Sequence, residues 1–171
     1  MSRIPLLAVD EAPLTAREWY REDGSASALT RSLASAPDLL ETLMPFLAQV
    51  MGESSLDLGT KELIIVRVSQ LNGCHYCLGA HRPVALDAGV PPEHVAAACA
   101  EAPLDELPAR ERAIVEWVDR VTTEPAAVDD GLLARVLDWV REDELVELTI
   151  LAGAIGMLNR YCTAFEIPPP S

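Results

Sequence analysis

Apolar residues recur at helical spacing along most of the chain, and no segment alternates cleanly enough to read as a strand. From Ser35-Ala36-Pro37 a helix is expected to about Met51, with Leu39, Leu40, Leu43, Phe46, Leu47 and Val50 at helical spacing. Residues 52–59 read as a loop. Thr60 is placed to cap the next helix, which runs through Leu71. Leu63, Ile64, Ile65, Val66 and Val68 make that helix apolar nearly all round, the mark of a buried helix. Asn72-Gly73 interrupts the chain, and a new helix is expected from Gly73 or Cys74 to about Ala88, where Gly89 stops it. Pro91 and Pro92 open a short helix to about Glu101, and residues 103–108 form a linker. Further helices are expected over residues 109–123, 129–140 and 143–165. Upstream, residues 1–14 read as an extended arm with Pro5 and Pro13. Thr15 then caps a short helix, with Glu18 at the capping-box position, and Asp23-Gly24-Ser25 breaks it. The tail Ile167-Pro168-Pro169-Pro170-Ser171 cannot continue a helix. The fold class is all-α, in a single domain over residues 1–171 with its core at about 37–167.

Composition agrees with that pattern. Half of the 171 residues are hydrophobic, enough for a substantial core, while aromatics are only 5%, which favours helix packing over sheet. The formal net charge of −14 repels phosphate backbones and anionic head groups, so neither nucleic acid nor a membrane surface is an expected partner. The longest apolar stretch, residues 145–158, is interrupted by Glu147 and too short to span a bilayer. The first residues reach Asp10 after a very short apolar run and do not read as a secretory signal. A cytoplasmic location is therefore expected, where thiols stay reduced.

In that setting, four cysteines do not read as a disulfide framework, and the pair Cys74-His75-Tyr76-Cys77 reads as redox or metal chemistry. With Cys74 in the first turn of its helix, Cys74, Cys77 and His81 share one face at i, i+3 and i+7. The helix N-terminus and His81 would both draw a thiol below its ordinary pKa of about 8.5. Glu62, an acid on the nearly apolar helix, is the candidate to orient the imidazole, since a buried carboxylate without a partner is costly. Such parts suit a cycle in which a thiolate attacks a hydroperoxide, becomes a sulfenic acid, and is captured by the second thiol as a disulfide that an external dithiol reduces. The rival reading is zinc, with Cys74, Cys77 and His81 as three ligands and His75 or Glu62 as a fourth. His75 and Tyr76 are candidate accessory residues. Cys99 and Cys162 have no partner motif and read as small buried hydrophobes, His94 as a surface residue, and Trp117, Val118, Trp139 and Val140 as core or subunit contacts. One internal echo is present: Lys61-Glu62-Leu63-Ile64-Ile65 resembles Val146-Glu147-Leu148-Thr149-Ile150, without a second C-x-x-C.

At Glu62, Cys74, Cys77 and His81, with Val68-Ser69-Gln70-Leu71-Asn72-Gly73, Leu78-Gly79-Ala80 and Ala88-Gly89-Val90, the chain resembles the AhpD-like branch of the carboxymuconolactone decarboxylase family. Leu158-Asn159-Arg160 and Ile167-Pro168 resemble that family's last helix and tail. The resemblance implies an all-helical fold that oligomerises, often as trimers or hexamers, with alkylhydroperoxidase activity in antioxidant defence; no cofactor or metal is expected. By position, Cys77 would be the attacking thiol, Cys74 the resolving thiol, and His81 with Glu62 the proton relay. The implied partners are a hydroperoxide and a dithiol, lipoylated or thioredoxin-like reductant. The alternative within the family is a redox sensor or small-molecule binder without fast turnover. Tyr76, where some peroxidases of the group carry His, and Pro83 inside the active helix depart from the pattern.

Overall fold

The computed structural model describes residues 2–170, which form eight α-helices and, among the described residues, no strand. They are α1 (Ala28–Leu33), α2 (Pro37–Met51), α3 (Leu58–Leu71), α4 (His75–Asp87), α5 (Pro92–Ala98), α6 (Ala109–Thr123), α7 (Asp130–Leu137) and α8 (Glu142–Ala164). Helix α3 is the axis of the bundle and packs against α4, α8, α6, α5 and α2. Every residue from Thr60 to Ser69 is buried, which matches its all-round apolar pattern. Ile64, Ile65, Val66 and Val68 are wholly enclosed, each contributing about 1.5–3 kcal/mol relative to exposure.

Several local readings are corrected. Asp57, not Thr60, caps α3, accepting the Thr60 N–H at 2.8 Å. The short helix expected after Thr15 is a 3-10 turn over Leu14–Trp19 behind Pro13, with no side-chain cap. Helix α1 follows it, capped by Ser27, and is too short at six residues to show a hydrophobic period. The arm is tied to the fold, Leu7 N–H donating to the Arg31 carbonyl and Arg3 N–H to that of Phe165. The linker contains a 3-10 turn at Leu104–Glu106. Helix α4 runs unbroken through Pro83, whose ring is exposed on the outer face. Trp117, Val118 and Val140 are core, whereas Trp139 is half exposed. His94 is half-buried beside Asp57 and Arg110 in a cavity of about 190 Å³.

Helix α8 is, by length and composition, long and apolar enough to cross a membrane, contrary to the reading of residues 145–158. Most of it is instead buried within the fold, against α3, α6, α2 and α4. The glutamate that interrupts it is occupied. Glu147 meets the fully buried Lys61 ammonium at 2.6 Å and accepts hydrogen bonds from Ser54 and Ser55. Lys61 also donates to the carbonyls of Val50 and Gly52.

Partial burial works against the Glu147 charge, but the bonds from Lys61, Ser54 and Ser55 outweigh it and hold the carboxyl at about 2, below its ordinary 4.5. A carboxyl lowered on folding stabilises the native state above its ordinary range and loses that contribution as pH falls toward 2. Glu147→Gln should therefore cost about 3 kcal/mol at neutral pH by leaving a buried ammonium without its counter-charge. Urea denaturation at several pH values should show the gap from wild type narrowing below 4.5. A gap constant across that range would rule the ion pair out as its source.

Candidate active site

Gly73, at φ +63°, takes the left-handed turn that separates α3 from α4. Cys74 follows as the N-cap of α4 itself, and its sulfur accepts the Cys77 N–H at 3.4 Å. Its sulfur lies 2.8 Å from Cys77 Sγ, and both thiols are free and buried. Two turns into α4, His81 Nδ1 meets Glu62 Oε2 at 2.8 Å. The carboxylate is only 4% exposed and the imidazole 24%. The four residues read as catalytic are thus assembled by one helical hairpin, α3 and α4. The Glu62–His81 contact, which spacing alone left open, is made.

Tyr76 is buried, with its hydroxyl facing Ser27 and Leu29, and burial raises its pKa. His75 is exposed at the start of α4. The two cysteines face different spaces. Cys77, His81 and Ala80 line a cavity of about 230 Å³ whose other walls are largely apolar, including Met44, Ile65 and Leu158. Cys74 and His75 line a cleft of about 700 Å³ on the other side, walled by Arg3 and the tail residues Ile167, Pro168 and Pro169. Tyr76 borders both. The tail lies close to α4 at Gly79, where a Cβ would come within 3.1 Å of Pro169.

Helix α8 supplies what the sequence reading missed. Cys162 is buried, and the sulfurs of Cys74, Cys77 and Cys162 all lie within 4.8 Å of one another. Asn159, one turn earlier and fully buried, hydrogen-bonds Ser69 Oγ at 3.1 Å and also reaches Cys77. A signal for both was present in the internal echo. Cys77 lies fifteen residues after Glu62, and Cys162 lies fifteen residues after Glu147. Twelve residues on, the same register sets Asn159 opposite Cys74. The two acids themselves diverge, Glu62 holding His81 and Glu147 holding Lys61.

Cys162 changes the electrostatics. Its hydrogen bond, with those from Cys77 Sγ and the Cys77 N–H, outweighs burial and draws the Cys74 thiol down to about 2. Cys162 also bonds Cys77 in the lowering sense, but donation to Cys74, burial and the Cys74 charge together push Cys77 up to about 12. Cys162 is pushed up as donor to both. The directions of these shifts make Cys74 the more acidic thiol of the pair. As a metal set, the three thiols offer one ligand fewer than a structural tetrahedral zinc takes, and His81, the third ligand of the zinc reading, is not part of that cluster.

A helical bundle wrapped around one buried helix, with a C-x-x-C pair at a helix start and a carboxylate-held histidine two turns on, is an AhpD-like protein by build. The sequence profile of the carboxymuconolactone decarboxylase family matches residues 37–120. The uncharacterized protein YdfG of Bacillus subtilis is 30% identical over 130 residues, 75% of this chain and 88% of its own. A solved structure from Ralstonia eutropha, described as an alkylhydroperoxidase AhpD core and an uncharacterized peroxidase-related protein, superposes with a TM-score of 0.89 at 20% identity, covering 99% of this chain and 93% of that one. The debrominase Bmp8 in complex with 2,3,4-tribromopyrrole gives 0.81 at 20% identity, covering 99% and 91%. The chain belongs to the carboxymuconolactone decarboxylase family, on its AhpD-like branch.

The charge assignment is open to direct measurement. Near neutral pH the thiolate absorbance at about 240 nm, read against alkylated protein, should correspond to about one thiolate per chain. Cys74→Ser should abolish it. Cys162→Ala should move its titration to higher pH, because the largest lowering bond is gone. An unshifted titration in that variant would remove Cys162 from the account.

Proposed function

We propose that the protein is a thiol peroxidase that reduces organic hydroperoxides or H2O2 through a Cys74/Cys77 dithiol–disulfide cycle, in antioxidant defence. The observation that carries this reading is the pairing of a close dithiol with a Glu62-held His81 in the cavity that Cys77 lines. Cys77 is the attacking thiol, as the family resemblance implies. Its raised pKa means that the thiol gives up its proton only as it attacks, and His81, which lines the same cavity, is placed to take it. The Cys77 sulfur attacks the distal peroxide oxygen, the O–O bond breaks, and Cys77 becomes a sulfenic acid. His81, oriented by Glu62, delivers a proton to the departing alkoxide or hydroxide. The Cys74 sulfur then attacks the sulfenic sulfur, water leaves, and the Cys74–Cys77 disulfide closes. A dithiol reductant, small, lipoylated or thioredoxin-like, restores the pair by exchange through the cleft beside Cys74. The cycle needs a reducing compartment, and the cytoplasm provides one.

The oligomer expected of the family has a matching surface. Val146, Ile150 and Met157 are exposed along one stripe of α8. Met157 borders a groove of about 430 Å³ with Leu39 and Phe46, two α2 residues that the helical pattern pointed inward and the fold leaves exposed. Burial of such a patch between subunits would explain its apolarity.

With a dithiol reductant, the protein should consume cumene hydroperoxide or H2O2 steadily. Cys77→Ser should abolish turnover, and Glu62→Gln should lower kcat by about 100-fold. Undiminished turnover in Cys77→Ser would overturn the mechanism, and a single stoichiometric oxidation without turnover would favour the sensor reading. Sedimentation velocity should show an oligomer that the double variant Ile150→Asp, Met157→Asp converts to monomer.

A further inference from the structure

We propose that Cys162 is a third redox thiol, which takes the disulfide over from Cys77 and forms a Cys74–Cys162 bond between α4 and α8. The inference rests on the Cys74/Cys77 redox reading for the source of the first disulfide. Three observations carry it. Cys162 Sγ lies within 4.8 Å of both other sulfurs, so side-chain movement alone has little distance to cover. All three thiols are buried together, a placement that the peroxidase cycle does not require of Cys162. The cavities divide them: Cys77 lines the small apolar chamber with His81, while Cys74 and Cys162 line the cleft under the tail. A Cys74–Cys77 disulfide straddles the wall between the two spaces. A Cys74–Cys162 disulfide has both sulfurs on the cleft side.

The step is an internal thiol–disulfide exchange. The Cys162 sulfur attacks Cys74 Sγ, the Cys74–Cys77 bond breaks, and the Cys74–Cys162 bond forms. The proton of Cys162 passes to the departing Cys77 sulfur, so one thiol and one disulfide are present before and after, with no net oxidation. In the reduced protein its bonds to Cys74 and Cys77, together with burial, push the Cys162 thiol up. Disulfide formation removes the part of that restraint which the Cys74–Cys77 pair supplies. The exchange returns Cys77 to the thiol state beside His81 while the oxidising equivalent waits at the cleft. Reduction there then acts on a bond that the substrate chamber does not touch.

The test needs neither peroxide nor turnover. The full chain is equilibrated in mixtures of reduced and oxidised dithiothreitol, quenched in acid, alkylated and digested with trypsin. Cys74 and Cys77 fall in one tryptic peptide, and Cys162 in another, beyond Arg160. A Cys74–Cys162 bond therefore joins two peptides, and fragmentation identifies which cysteine of the first is linked. The expected result is this cross-link in a measurable share of the oxidised wild-type chains, and in nearly all oxidised chains of Cys77→Ser. Wild-type protein that carries only the Cys74–Cys77 loop, with Cys162 fully alkylated, overturns the proposal. A cross-link from Cys77 rather than Cys74 overturns it equally. The outcome is separable from the peroxidase reading. Chains that consume hydroperoxide without the cross-link refute this inference alone, and chains that form the cross-link without consuming hydroperoxide retain it.

Discussion

A charged side chain shut away from water must find a partner, and helix α3 carries three of them through the centre of the bundle. Lys61 finds Glu147 on α8 and two carbonyls at the end of α2. Glu62 finds His81 on α4. Arg67 makes a two-pronged pair with Asp119 on α6, both contacts at 2.6 Å, and approaches the Ala98 carbonyl at the end of α5. Ser69 adds Asn159 on α8. The apolar faces of α3 would pack in more than one rotation, but these pairs are satisfied in only one. Of the three pairings, two tie helices together and the third lies in the candidate site, so the geometry of that site and the helix packing are fixed by the same requirement.

That requirement also explains what could be read from the chain. The buried character of α3 was visible because its apolar residues circle the helix, and the chemistry was visible because Cys74, Cys77 and His81 lie close in sequence. Their relation survives any packing that keeps α4 helical, Pro83 included. Glu62 was reached through family spacing, and only the hairpin at Gly73 brings it within 2.8 Å of the histidine.

The contacts that were not legible are those made across the fold. Cys162 lies 85 residues beyond Cys77, and the shared fifteen-residue spacing from Glu147 and Glu62 marks equivalent positions without placing them in contact. Its place beside the pair depends on how α8 crosses α4. The same holds for Leu39 and Phe46, whose spacing is that of a core face although the core closes without them. Helix α1 was missed for a different reason, since six residues are less than two turns and its Ser27 cap is a weak signal alone. The start of α3 is ambiguous in sequence for a similar reason, because Asp57 and Thr60 bond each other and either can read as the cap.

The wall between the two spaces, formed by the cysteine pair and Tyr76, bears on more than access. Molecules that occupy opposite sides of it do not exclude one another. In the proposed cycle, crowding one chamber would leave entry to the other unobstructed, so an excess of one reactant would not act as an inhibitor of its counterpart. In that cycle only charge and bonding between sulfurs would cross the wall, and neither reactant would have to leave before the next arrived.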